Sequence, residues 1–283
     1  MNEIPLVSVI VPCYNSGNTL SRTIDSVVKQ TWEKIELIIV NDGSTDKSTI
    51  ELLDFFSTKP NITVYSQINK GLASARNNGI RISKGEFILP LDSDDWLDDN
   101  AIKIMVETSQ LINESSIIFS DIQLEGKRSG VKKTYCNPFE QLFSNQLPYC
   151  MLFPEDIIKK INGYDENLIN GLEDWDLNLR LIMFGHKLKK INKPLFHYTT
   201  AHSGMFWDKT SKDFGSIFKK IRNKHLTYYK FGNLYNTYKI SKQIPSKRDI
   251  TAYFLLDLIY KIAPAIVINK IYLAAYKLRN KSF

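Results

Sequence analysis

The chain of 283 residues carries 43% hydrophobic side chains, enough for one substantial core with room for a further layer or subdomain. Its formal net charge of +7 is uneven: residues 1–195 hold 21 Lys and Arg against 26 Asp and Glu, whereas residues 196–283 hold 16 against 4. The positive charge belongs to the tail and comes with no groove-reading or base-stacking motif, so a nucleic-acid partner is not expected.

The first dozen residues, MNEIPLVSVIVP, place Glu3 ahead of a short apolar run and read as a strand rather than as a secretory leader. The pattern then alternates between helical period and short β-branched runs: NTLSRTIDSVVKQT, IELIIVND, DKSTIELLDFFST, ITVYSQ, ASARNNGIRIS and EFILPLD. Continuous apolar strands separated by helices predict a parallel sheet covered on both faces, and residues 1–100 read as a nucleotide-binding half. Ligands of such sheets bind beyond the carboxyl ends of the strands, where Pro12 to Asn15, Asn41 to Asp46 and Asp92 to Asp95 fall. A helix near 98–112 follows, then strand-like SIIFSDIQL, a polar stretch, and apolar PYCMLFP, as if the sheet continued with a mixed edge. PEDIIKKI reads as a short helix, NGYDE as a turn and EDWDLNLRLIMFG as a helix. Beyond residue 206 the chain is Lys-rich and helical in period, with Pro245 and Pro264 as breaks. Cys13, Cys136 and Cys150 are odd in number and far apart, which fits neither a disulfide framework nor a zinc site and suits a reducing cytoplasm.

The densest chemistry lies in FILPLDSDDWL, where a strand ends in Asp92, Asp94 and Asp95. Crowded carboxylates repel, and a divalent cation such as Mg²⁺ or Mn²⁺ relieves them while substrate phosphates fill its remaining positions. The alternative is that Asp94 or Asp95 caps a helix starting near Leu97. In IIVNDGSTD, Asp42 at a strand end is suited to accept hydrogen bonds from a nucleoside, or else belongs to an ordinary Asp-Gly turn. In NKGLASARNNG, Arg76 follows a helix start of the kind that meets phosphate, or else forms a surface pair.

In order, VSVIVPCYN, NDGSTD, GLASARNNG, LDSDD, GYDE and EDWDL resemble the family 2 glycosyltransferases of the GT-A fold, from about Val7 to His202. The resemblance implies a Rossmann-like α/β fold with an open mixed sheet flanked by helices, and an inverting transfer from a nucleotide sugar. It implies that Pro12, Tyr14, Asn15 and Asp42 line the nucleoside pocket, Arg76 lies near the diphosphate, Asp92 faces the ribose and Asp94 binds the metal. Asp174 becomes the general base, with Glu173 and Asp176 its closest rivals on one helix start. Gly163, Asp165 and Glu173 fall on the acceptor side, although Gly163 and Asp165 equally suit a turn. His197 or His202 would complete the metal or diphosphate site. Members commonly carry an Arg two residues after the counterpart of His197, where this chain has Thr199.

The expected organisation is a catalytic domain over 1–205, with an acceptor half at 101–205, and a basic amphipathic helical region over 206–283. The expected partners are a UDP-sugar donor and a glycan or lipid-linked acceptor of bacterial surface polysaccharide assembly. The stretch 250–281 is apolar but interrupted by Asp257, Lys261 and Lys270, which leaves no run near the ~20 apolar residues that a spanning helix needs. Lys270, Lys277 and Lys281, opposite Ile268 and Tyr272, suit a helix lying on the anionic inner face of the cell membrane, or else a helical pair packed on the core or on a second subunit. Two rivals are a sugar nucleotidyltransferase, whose glycine-rich triphosphate loop PCYNSGNTL lacks, and a non-catalytic sugar-nucleotide-binding module.

Overall fold

The computed structural model describes residues 4–112, 115–200, 209–241 and 250–280, the side chains of 250–252 and 275–280 apart. They form two units of interleaved chain: the first runs through Thr134 and adds Pro148–Ile169 and Phe184–Thr200, and the second takes Tyr135–Leu147, Asn170–Met183 and the chain beyond Thr200.

In the first unit the apolar runs become strands β1 (Val7–Cys13), β2 (Ile35–Asn41), β3 (Ile62–Ser66) and β4 (Phe87–Pro90), alternating with helices α1 (Leu20–Val28), α2 (Lys47–Ser57) and α3 (Leu72–Ile82). β1 pairs in parallel with β2 and β4, and β2 with β3, which brings the carboxyl ends of all four to one rim. Every residue of β1 is buried, as the unbroken apolar run requires of a central strand. Helix α3 lies close on it because residue 79 is glycine; a Cβ there would sit 2.3 Å from Ile10 Cγ2.

Beyond this point the structure departs from the simple extension of the sheet. β8 (Phe153–Pro154) adds an antiparallel edge to β4. The other strands form a second sheet in the order β5 (Trp96–Leu97), β9 (Lys187–Thr200), β6 (Ser116–Gly126) and β7 (Gly130–Lys132). β6 and β9 run parallel, with a register shift around Asp121. Trp96 and Leu97 pair antiparallel with His197 and Phe196, so no helix begins at Leu97. Helix α4 (Ala101–Gln110) starts later, and the capping alternative for Asp94 and Asp95 falls away. The first half of β9, KLKKINKP, is rich in Lys with only Leu188 and Ile191 as large apolar residues, so it carries no clean two-residue period.

Helix α6 (Glu155–Lys160) and the turn after it also belong to the first unit. The second unit contains the short helix α5 (Pro138–Gln141), then α7 (Glu173–Met183), α8 (Ser211–Lys224), α9 (Phe231–Ser241), α10 (Ile250–Ile262) and α11 (Ala265–Asn280). Pro264 separates the last two, as expected, while Pro245 lies outside the described residues. Trp175 of α7 packs on Phe214 and Phe218 of α8, and Phe214 stacks on Tyr272 of α11. Ile268 is fully buried. The Ile268 and Tyr272 face that was set against a bilayer is therefore occupied by packing within this unit.

Candidate active site

The loops after β1, β2, β3 and β4 are laced together by short polar side chains. Asn15, in a left-handed conformation at φ 51, accepts the N–H groups of Thr45 and Asp46 at 2.8 and 3.2 Å. Ser16 and Ser93 hydroxyls lie 2.7 Å apart and join the first loop to the fourth. Asp42 is buried, and its carboxylate accepts from Gln67 Nε2 and the backbone N–H groups of Lys70 and Gly71 at 2.7–2.9 Å. Three of roughly four acceptor positions on that carboxylate are thus filled by the protein, which makes Asp42 a staple holding the start of α3. Pro12 is buried in β1, and Tyr14 stands half exposed beside it on the rim.

Arg76 and Asp92, expected to meet different parts of a nucleotide, meet each other. The guanidinium is 1% exposed, donates to Asp92 Oδ1 at 2.6 Å, and lies between the rings of Tyr149 and Tyr164. Tyr149 braces the same loop: its hydroxyl accepts Asp92 N–H at 3.1 Å and donates to Asp95 Oδ2 at 2.5 Å. Asp95 also accepts Thr199 N–H at 2.7 Å, and burial, then the charges of Asp94 and Asp92, push its carboxyl well above the usual range. With both oxygens engaged, Asp95 serves the loop's structure.

Asp94 differs. Its backbone carbonyl accepts from Arg22 and Thr199, while its carboxylate makes no ion pair among the described residues. Loss of hydration among the packed strand ends, then the like charge of Asp92, raise its carboxyl to about 6. The side chain keeps an open face to solvent, so this is crowding rather than enclosure. Among the described residues no three or more His, Cys, Asp or Glu converge on a closed cation cage. The donor set fits a hard divalent cation held by one or two carboxylates, with its other positions left to water and phosphate.

His197 has carboxylate neighbours of its own. Its ring stacks on Trp96, with Nδ1 2.9 Å from Glu125 and Nε2 2.9 Å from Asp98. Both ring nitrogens thus face a carboxylate. The second candidate, His202, lies outside the described residues. Gly163 and Asp165 form the turn after α6: Gly163 has φ +56, and Asp165 Oδ1 accepts Asn167 N–H at 3.0 Å. Asn77 of α3 clasps this turn through both backbone groups of Tyr164.

In the second unit, Asp174 is half-buried in the first turn of α7. Oδ1 accepts the N–H of Trp175 and Oδ2 accepts from Asn145 Nδ2, both at 2.8 Å. Asn145 is oriented in turn, because its carbonyl oxygen accepts from the amides of Gln141 and Asn178. Glu173 is buried, and Asp176 is fully buried against Arg180, Lys224 and His225. Three acidic side chains on one helix start therefore have three different surroundings.

The family model for glycosyl transferase family 2 matches residues 8–145. That segment belongs to glycosyl transferase family 2. A hyaluronan synthase of Pasteurella multocida is 27% identical over 82% of this chain and 24% of its own length. A chondroitin synthase of P. multocida strain Pm70 is 39% identical over 68% of this chain and 20% of its own. The chain thus spans about a quarter or less of these two relatives. The crystal structure of S. aureus TarS 1-349 in complex with UDP-GlcNAc matches the fold with TM-score 0.63 at 20% identity, covering 76% of this chain and 65% of that one. The mixed α/β fold of GT-A type is as the motifs implied.

Within the family pattern, the LDSDD, NDGSTD and GLASARNNG segments converge on one rim of the first unit. Tyr149, Arg22 and Asn145 escaped sequence reasoning, since none lies in a repeated pattern or beside a motif, and only the fold brings each to its partner.

Proposed function

We propose that this chain transfers a sugar from a UDP-sugar to a hydroxyl of a glycan or lipid-linked acceptor in bacterial surface polysaccharide assembly, inverting the anomeric carbon. One observation carries the reading: four strand-end loops laced together at one rim present Asp94, beside Asp92, as a carboxylate that forms no ion pair among the described residues. The UDP-GlcNAc named with TarS and the polysaccharides named for the two synthases support the donor and product class.

In the proposed reaction the acceptor hydroxyl attacks the anomeric carbon opposite the nucleotide. The bond to the β-phosphate oxygen breaks with its electron pair on that oxygen, and Asp174 takes the hydroxyl proton. Mn²⁺ or Mg²⁺ on Asp94 supplies neutralisation of the departing diphosphate when bound. Asn145 holds the Asp174 carboxylate in one orientation, and Arg76 holds Asp92 by pairing with it.

The test is incubation with a panel of UDP-sugars and glycan or lipid-linked acceptors, with Mn²⁺ or with EDTA, reading free UDP and the extended acceptor by mass spectrometry. UDP release that requires the cation supports the reading. Pyrophosphate formed from UTP and a sugar 1-phosphate would replace it with a nucleotidyltransferase, and nucleotide binding without turnover of any donor with a non-catalytic module. No helix among the described residues is long and apolar enough to cross a membrane. We propose that exposed Leu255, Leu258, Ile262, Ile266 and Val267, rather than the buried Ile268 face, meet an anionic bilayer surface. Failure of the full chain to sediment with anionic liposomes at low salt would refute this.

A further inference from the structure

Helix α1 delivers a charged group to the Asp92–Asp95 loop that no motif marks. Arg22 Nη2 donates to the carbonyl oxygen of Asp94 at 2.8 Å and to Thr199 Oγ1 at 3.3 Å. Its guanidinium lies over the Trp96 ring, with Cζ 3.7 Å from the centroid. Thr199 Oγ1 donates to the same Asp94 carbonyl, so the loop, β5 and β9 together fix the position of a side chain that is nonetheless exposed.

The two arginines at this loop are in opposite states. Arg76 is buried and neutralised by Asp92. Arg22 bonds only to neutral oxygens, and among the described residues it forms no ion pair. Nη2 is used by the protein, while the Nε and Nη1 hydrogens meet no acceptor among those residues. An oriented guanidinium loses little further side-chain freedom on meeting an anion, and it cannot release its proton. A clip between loop and strands would not need a permanent charge, and that charge stands beside the carboxylate assigned to the cation.

We infer that Arg22 binds the diphosphate of the donor and stabilises the charge that forms as it leaves, an assignment that rests on the donor reading above. When the bond between anomeric carbon and β-phosphate oxygen breaks, the electron pair stays on the phosphate and the diphosphate gains one negative charge. The acceptor proton goes to Asp174, so no further reactant is needed. A cation already held in place meets that charge without reorganising.

The experiment compares wild type, Arg22→Gln and Arg22→Lys by calorimetric titration with UDP and with uridine in Mn²⁺, alongside kcat and unfolding temperature. Arg22→Gln is expected to weaken UDP by roughly 10- to 100-fold, the range of a charge-assisted contact, with uridine affinity unchanged. Arg22→Lys, which keeps the charge and loses the planar fork, should fall between, and kcat should drop in the same order. Equal weakening of UDP and uridine with a lowered unfolding temperature would reduce Arg22 to a structural clip. UDP affinity at the wild-type level in both variants would overturn the assignment and leave the donor reading standing. A wild-type chain that binds neither UDP nor uridine would remove both.

Discussion

Asp176→Asn tests whether the second unit depends on one buried carboxylate. Asp176 has no exposed surface; Oδ2 accepts Arg180 Nε and Lys224 Nζ at 2.9 Å, and Oδ1 lies 2.8 Å from His225 Nε2. Burial alone would raise this carboxyl, but the His225 hydrogen bond and the charges of Arg180 and Lys224 outweigh it and hold it at about 2, against an ordinary 3.8. That difference corresponds to about 2–3 kcal/mol of stability at roughly 1.4 kcal/mol per unit. A lowered carboxyl contributes fully above its ordinary value, and the contribution is lost as pH falls from about 4 towards 2. Asparagine keeps the shape but leaves three basic groups without their anion. At neutral pH the variant should therefore lose about 2–4 kcal/mol, since breaking a buried pair costs at least what the pair contributed. Urea unfolding of the full chain at pH 7 and at steps down to pH 3 measures it, with the gap between the two proteins narrowing below about pH 4. Equal stability at pH 7, or a gap that widens with acid, would refute the reasoning.

Because the Asp94 carboxyl sits at about 6, a cation must displace a proton below that pH, so Mn²⁺-dependent UDP affinity should strengthen as pH rises through about 6. Asp94→Asn should abolish most of that affinity and its pH dependence in calorimetry from pH 5 to 8, and a flat wild-type profile would contradict the assignment. Asp174→Asn should lower turnover by roughly 10² to 10⁴ with UDP affinity and unfolding temperature preserved; parallel loss of stability and activity would instead mark a helix-capping role. Tyr149→Phe removes the donor to Asp95 and the acceptor of Asp92 N–H. It should cost about 1–3 kcal/mol in chemical unfolding, as expected when a buried donor or acceptor loses its partner.

The course of the first hundred residues was legible because a parallel sheet buried on both faces writes itself as unbroken apolar runs, and β1 to β4 fall where those runs lie. The strand-end carboxylates were legible for a related reason: loops at the carboxyl ends of such strands must converge, so position along the chain implies position at the rim. What the sequence could not determine is which partner each charged group takes. Arg76 and Asp92 are 16 residues apart, Asp95 and Tyr149 are 54, and Asp98 and His197 are 99, and local pattern holds no information about such pairings. The second sheet was legible only in part for the same reason: SIIFSDIQL reads as β6, but Trp96–Leu97 is a strand only because β9 arrives beside it. Likewise Glu173, Asp174 and Asp176 are near equivalents on a helix start until packing turns them to different surroundings; local spacing places a residue on a face, and only tertiary contact decides what that face meets.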